Sequence, residues 1–390
     1  MAARTSHTGS APVRSATRAP GPCRFKAPGV GRGVDAEAAY QSLRAVAQEA
    51  VSEGELEGLC QEAAAGKRPK AYIGFEPSGT AHVGWMVCTD AIRRLAAAGF
   101  DVTVLLADWH AQINDKLGGD LAAIQRCGKY MEEAFEALGV ARASVTYRYA
   151  NEFAADPAYW ATVVKVMHGT TLARMRRAMT IMGRKEEEGD ADMAKFLYPA
   201  MQVADIFHMG IRLAVGGMDQ RHAHMLARDV APKLQQRPPA ALHTPLVPGL
   251  KAGTGRMDPV EAKMSKSDPD SGIFIHDSRE DIVRKLKGAH CPAKELEGNP
   301  VLDLLRLVVF PRITAAGGAL RVNRPEKFGG NKAYAAFPEA AADFAAGALH
   351  PMDLKAATAD ALDQELAPVR AYFAKHPDNW QFIQALRKTR

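Results

Sequence analysis

The sequence predicts an α/β protein in which a parallel sheet flanked by helices is followed by a mainly helical C-terminal third. From Asp35 onward, short apolar runs alternate with stretches of helical periodicity, the pattern of strand-helix units. The run Val102 to Leu106 is almost continuously apolar, as expected of a strand covered on both faces. Beyond about His276 the strand signals cease and apolar positions recur at helical spacing. With 390 residues and 47% hydrophobic content the chain can hold a large core and two or three domains. The expected division is an extension (1–35), a sheet-containing domain (36–275) and a helical domain (276–390).

The extension is rich in Ala, Pro, Gly, Ser and Arg and cannot bury enough apolar surface to order itself. It carries Arg4, Arg14, Arg18, Arg24, Lys26 and Arg32 and no acidic residue up to residue 34, which accounts for the whole net charge of +6. Its lack of acids fits an organelle transit peptide, and the alternatives are a plain disordered extension or a misassigned start. The rest of the chain is formally neutral, so any nucleic-acid contact must come from local patches. No apolar run approaches membrane-spanning length. The five cysteines (Cys23, Cys60, Cys88, Cys127, Cys291) are scattered without a Cys-x-x-Cys pair, and read as reduced structural thiols with no zinc or other metal ligand set.

Residues 36–64 read as an Ala-rich helix interrupted at Gly54, and Tyr72 to Phe75 as the first strand. A helix from about His82 to Ala98 stops at Gly99, a natural helix end. After the strand Val102 to Leu106 come a helix from Leu121 to Leu138, a strand from Ser144 to Tyr149 and a long helical region from Pro157 to Met182. An acidic loop (Glu186 to Asp192) precedes a helix at Pro199 to Met209 and a strand at Ile211 to Val215. Gly216-Gly217 closes that strand and Asp219 opens the next helix, which suits a ligand crevice at the carboxyl ends of parallel strands. In the last third, Ile282 to Lys287, Val301 to Val309 and Leu354 to Leu366 are the expected helices.

Two short segments carry chemistry. Tyr72-Ile-Gly-Phe-Glu-Pro-Ser-Gly-Thr-Ala-His-Val-Gly84 is a strand, a Pro/Gly-punctuated loop and a helix start, where unpaired backbone N–H groups favour phosphate. Lys263-Met264-Ser265-Lys266-Ser267 puts two ammonium groups and two hydroxyls in five residues, within a Gly- and Pro-bounded loop able to close on a polyphosphate. A third feature is Tyr198, Gln202 and Asp205 at i, i+4 and i+7, which share one helix face. Such a stripe is either a solvated face or a set of buried polar groups that satisfy each other or await a ligand.

In this order the two segments resemble the HIGH and KMSKS signatures of class I aminoacyl-tRNA synthetases. Ala71 to Gly84, Leu106-Ala-Asp-Trp-His110, Tyr198 to Asp205, Gly216 to Arg221 and Lys263 to Ser267 together resemble the tyrosyl-tRNA synthetase family of archaeal and eukaryotic type. Arg324 to Gly330 and Leu349 to Lys355 are similar to the family's anticodon-reading domain, so the resemblance covers roughly residues 40–390. It implies a Rossmann-like catalytic domain, ATP as substrate with Mg²⁺, L-tyrosine and tRNA(Tyr) as partners, a homodimer and a cytoplasmic enzyme of protein synthesis.

By resemblance Tyr72 and Asp205 hold the phenolic hydroxyl of tyrosine, and Tyr198, Gln202 and Gln220 its ammonium end. A phenol donates to a carboxylate while accepting from a hydroxyl, and phenylalanine would strand both groups; the plainer alternative is that Tyr72 and Asp205 bond each other. The resemblance puts His82 near the phosphates, Gly84 against adenine, Gly217 and Asp219 at the ribose, and Lys263 and Lys266 on the leaving pyrophosphate. His82 as a helix-start cap and the lysines as ordinary loop charges are the alternatives. Where relatives end the HIGH motif in histidine this chain has Trp85, which is expected to pack beneath the nucleotide without a catalytic role. For tRNA, the resemblance sets Arg177 and Arg221 at the first acceptor pair, Phe328 and His350 stacking on bases, and Asp353 on a guanine edge. Other readings are the sibling tryptophan enzyme, a non-catalytic RNA-binding relative, and a small-cofactor adenylyltransferase, which would not need the C-terminal third.

Overall fold

The structure, a computed structural model, describes residues 34–183, 192–252 and 269–388. Helix α1 (Ala36–Arg44) starts under Asp35, whose carboxylate accepts the Ala38 N–H at 2.7 Å. The chain then forms a short strand, β1 (Glu49–Val51), before α2 (Glu53–Ala64). The helix expected over 36–64 is therefore two, and the break falls ahead of Gly54, which sits in the first turn of α2. Long-range pairing explains this, because β1 adds an antiparallel edge to a strand far along the chain.

There follow β2 (Lys70–Phe75), α3 (Trp85–Ala97), β3 (Asp101–Leu106), α4 (Asp108–Ile113), α5 (Leu121–Ala137) and β4 (Thr146–Tyr149). The next part runs α6 (Pro157–His168), α7 (Leu172–Met179), α8 (Leu197–His208), β5 (Leu213–Gly217), α9 (Arg221–Val230) and β6 (Ala240–Thr244). The long helix expected from Pro157 is broken at Gly169, and Thr171 caps α7 by accepting the Arg174 N–H. The helix expected at His82 begins three residues later, at Trp85. The acidic loop lies outside the described residues except for Asp192.

The sheet order is β1-β6-β5-β2-β3-β4, parallel throughout except for β1. Chain order runs outward in one direction from β2 to β3 and β4, and in the other through β5 to β6. The switch lies between β2 and β5, and in open parallel sheets ligands bind beyond the carboxyl ends of the strands at such a point. These strands end at Phe75 and Gly217, so the loop from Glu76 to Gly84 and the turn from Met218 to Gln220 both leave the sheet from that edge.

The C-terminal part contains α10 (Arg279–Lys287), α11 (Pro300–Leu304), a π-helical stretch (Leu305–Val309) and α12 (Phe310–Ala315). A hairpin of β7 (Leu320–Val322) and β8 (Lys332–Tyr334) precedes α13 (Phe337–Ala346), α14 (Pro351–Lys375) and α15 (Asp378–Lys388). One core cluster runs from Ala39 in α1 to Ile383 in α15. Against it, the half-buried His276 ring stacks on Trp380 with centroids 3.5 Å apart, beside Phe373. Among the described residues no helix is long and apolar enough to cross a membrane.

Candidate active site

Helix α8 presents Tyr198, Gln202 and Asp205 inward, and all three are buried, so the face is not solvated. Tyr159 of α6 donates its hydroxyl to Asp205 Oδ1 at 2.9 Å. The other carboxylate oxygen, Oδ2, lies 3.2 Å from His110 Nε2 on α4. That approach is outside hydrogen-bond alignment. Tyr72 Oη, Asp205 Oδ2 and both ring nitrogens of His110 are therefore buried polar atoms with no hydrogen-bond partner among the described residues. Leaving such atoms unpaired costs about 1–3 kcal/mol each. The alternative in which Tyr72 and Asp205 satisfy each other is not what forms.

The electrostatics agree. Burial, opposed by Gln202 and reinforced by the Asp205 carboxylate, holds the Tyr72 hydroxyl far above its ordinary pKa, so it stays a donor. Burial lowers the His110 pKa, but the Asp205 carboxylate outweighs it and leaves it raised. A phenol entering here can donate to Asp205 while accepting from Tyr72. At the opposite end Gln202 Nε2 donates to Gln220 Oε1 at 3.2 Å, and Gln220 Nε2 to the Ile181 carbonyl at 3.3 Å. Tyr198 meets His110 edge-on at 5.0 Å, and burial together with Glu76 keeps its hydroxyl protonated. Glu76 itself accepts from Asn114 Nδ2 at 2.9 Å and lies 3.5 Å from Lys116 Nζ.

The loop after β2 is pinned from behind by α5. Gly79 N–H approaches Cys127 Sγ at 3.2 Å and Ala81 N–H donates to the Tyr130 hydroxyl at 3.2 Å. Val83 N–H donates to the Ile273 carbonyl and Ile275 N–H to that of Ala81, which ties the loop to the chain emerging after residue 268. His82 Nδ1 accepts the Gly84 N–H at 3.2 Å, as a turn cap does. A Cβ on Gly84 would stand 2.8 Å from the His82 ring, and one on Gly217 would stand 2.5 Å from Asp219 Oδ1 and 2.7 Å from Leu246. A side chain at either position would therefore have to displace these neighbours. Trp85 turns into the core, stacked on Phe135 at 5.2 Å and packed against Phe75.

The family model for class I tRNA synthetases (W and Y) matches residues 64–367. The chain belongs to this family. It is 45% identical over 361 residues to the tyrosine–tRNA ligase of Aeropyrum pernix, covering 90% of this chain and 98% of that one. It is 41% identical over 358 residues to a tyrosine–tRNA ligase of Saccharolobus islandicus, with the same coverage. The crystal structure of tyrosyl-tRNA synthetase from A. pernix superposes with a TM-score of 0.80 at 42% identity, covering 91% of this chain and 100% of that one. The Pyrococcus horikoshii synthetase complexed with L-tyrosine gives 0.81 at 39%, covering 90% and 100%.

In this synthetase the remaining sequence-selected residues divide into three groups. Lys263 and Lys266 lie outside the described residues. Arg221 opens α9 and donates through Nε to both oxygens of Glu49, at 3.0 and 2.8 Å, while Arg177 is exposed on α7. Phe328, His350 and Asp353 gather at one end of the C-terminal part. Phe328 is 61% exposed, with Lys327 Nζ 4.9 Å over its ring. His350 caps α14 by accepting the Met352 N–H. Arg324 lies 3.8 Å from Asp353 and donates to the carbonyls of Gly330 and Ala348, which joins the Phe328 loop to the α14 start. Sequence reasoning missed Tyr159, His110, Glu76 and Asn114. His110 sat in a quoted motif, but Tyr159 had no local signal.

Proposed function

We propose that this chain is a tyrosine–tRNA ligase that activates L-tyrosine with ATP and transfers it to tRNA(Tyr). The observation that carries the reading is the set of buried polar atoms at Tyr72, Asp205 and His110 that make no hydrogen bond among the described residues, opposite the Tyr198, Gln202 and Gln220 array. Tyr72 and Asp205 read the phenol; Tyr198, Gln202 and Gln220 hold the ammonium. The substrate carboxylate then attacks the α-phosphorus and pyrophosphate leaves. Next, a terminal ribose hydroxyl of the tRNA attacks the adenylate carbonyl and AMP leaves. Neither step needs a nucleophilic side chain, so rate comes from alignment and charge stabilisation. We assign His82, Lys263 and Lys266 to the phosphates, Gly84 to the adenine and Gly217 with Asp219 to the ribose. Mg²⁺ belongs with the ATP phosphates. Among the described residues no cluster of His, Cys, Asp or Glu could hold a metal, and no step is assigned to the ion.

Residues 36–275 would carry activation and residues 276–390 anticodon reading, with Phe328, His350 and Asp353 as the contacts there and Arg177 and Arg221 at the acceptor end. The assembly we assign is a homodimer, as the resemblance to the family implies. The compartment we assign is the cytoplasm; residues 1–33, on which organelle targeting rests, lie outside the described residues.

The test is amino-acid-dependent exchange of labelled pyrophosphate into ATP with tyrosine, phenylalanine and tryptophan. Exchange with tyrosine alone is expected. Asp205→Ala should lower kcat/KM for tyrosine by about a hundredfold, since one ligand hydrogen bond to a charged group and its burial are lost. Exchange with tryptophan would move the chain to the sibling specificity, and none would remove the ligase reading.

A further inference from the structure

A chain of hydrogen bonds leads from the surface at Arg221 inward to the buried His224, whose ring lies against the back of the proposed tyrosine pocket, and the reaction as described makes no use of it. Glu49 Oε2 accepts from Arg221 Nε at 2.8 Å and from His243 Nδ1 at 2.8 Å. His243 Nε2 lies 3.0 Å from His224 Nδ1, with the two rings stacked 5.1 Å apart. The His224 ring in turn stands edge-on to Tyr72 at 6.2 Å. Gly216 makes room at this point: a Cβ there would be 2.9 Å from Gln220 Cβ and 3.3 Å from His224 Cε1. The sheet supplies the alignment, because the antiparallel register sets Glu49 of β1 directly opposite His243 of β6.

The proton order along this chain has one direction. Arg221 holds the Glu49 carboxyl below its ordinary pKa, so Glu49 is an acceptor and His243 carries its proton on Nδ1. The lone pair of His243 Nε2 then requires the proton of His224 to sit on Nδ1. Burial lowers both imidazole pKa values, so both rings are neutral. Two buried imidazoles are a costly way to fill space that apolar side chains would fill without desolvation.

We propose that Glu49, His243 and His224 form a positioning relay that couples Arg221 to the Tyr72 and Gln220 wall of the tyrosine pocket. The proposal rests on the ligase reading above. A tRNA phosphate or base edge that draws Arg221 off Glu49 removes the charge that orders the two histidines. The change is then felt where tyrosine is held, and tyrosine binding reciprocally favours one Arg221 position.

His243→Asn keeps a donor near Nδ1 for Glu49 and removes the acceptor for His224, cutting the relay in the middle. In pyrophosphate exchange this variant should raise the tyrosine KM about fivefold with kcat unchanged. Single-turnover transfer from preformed tyrosyl-adenylate should slow about tenfold, and Arg221→Ala should absorb that effect, so that the double variant transfers no more slowly than Arg221→Ala alone. Multiplying effects, or a change in thermal midpoint with no change in either rate, would overturn the relay. Independently of activity, histidine-selective ¹⁵N spectra of the full chain should show both rings as neutral Nδ1–H tautomers, and Glu49→Gln should shift both. A response confined to His243 would sink the proposal. Wild-type protein without tyrosine-dependent exchange would overturn the ligase reading, while the spectra would still decide whether the array is connected.

Discussion

A carboxylate that has to read one hydroxyl must be kept from rotating, and at Asp205 this task falls to Tyr159. Its hydroxyl occupies Oδ1, which leaves Oδ2 beside His110 and without a hydrogen bond among the described residues. Tyr159→Phe should therefore raise the tyrosine KM in pyrophosphate exchange about tenfold while leaving kcat close to normal, since about 1–1.5 kcal/mol of positioning is lost. The discrimination against phenylalanine should fall with it. A second consequence concerns pH. His224, faced by His243, Tyr72, Gln220 and more distantly by Glu49, Arg221 and Asp219, has its pKa lowered from 6.5 to about 3, first by burial and then by His243. The unfolded chain binds a proton below pH 6.5 that the folded chain refuses. The stability present above pH 6.5 is thus lost as pH falls, at about 1.4 kcal/mol per unit until the folded pKa is reached. Thermal midpoints measured from pH 7 to pH 5 should decline, and His224→Gln should flatten the decline.

At the scale of elements, α5 acts as a backing plate for the loop between β2 and α3. It contributes Cys127 and Tyr130 to the loop backbone, and neither side chain points at a substrate group named above. Tyr130→Phe keeps the packing and removes the acceptor for Ala81 N–H and the partner of His276 Nε2. Exchange kcat should drop about fivefold with the tyrosine KM unchanged, because the phosphate side and not the phenol side is displaced. The helix and strands behind this arrangement were legible: Val102 to Leu106 is a buried run, and Gly99 and Gly139 end their helices in left-handed conformations. Strand β1 was not, because three half-buried residues have no periodicity and owe their conformation to β6. β6 itself, Ala-Ala-Leu-His-Thr after two prolines, is fully buried yet too short and too mixed to stand out. The same limit applies to the site. Tyr72, Tyr198, Gln202, Asp205 and Gln220 are clustered by strand ends and helical spacing, whereas Tyr159, Glu49 and His243 reach it only through tertiary pairing.

Over the whole molecule the core is continuous from α1 to α15, so the sheet and the C-terminal helices should lose structure together. Denaturant curves read from Trp85, in the first motif, and from Trp380, in α15, in variants that each keep only that one of the four tryptophans, should share a single midpoint. Two separated midpoints would mean that the regions are energetically independent. The ring stack of His276 on Trp380 adds a constraint of a different kind. His276 is bonded to Tyr130, which accepts from the backbone one residue before His82, so a residue near the C-terminus bears on the loop that opens the first helix of the site. A chimera that joined residues 1–275 to the last third of a distant relative would separate partners that function as a set. Tyr130, His276 and Trp380 would have to be inherited together for the graft to work, which makes residue 275 a poor crossover point for recombination although it lies at the edge of the sheet-containing region.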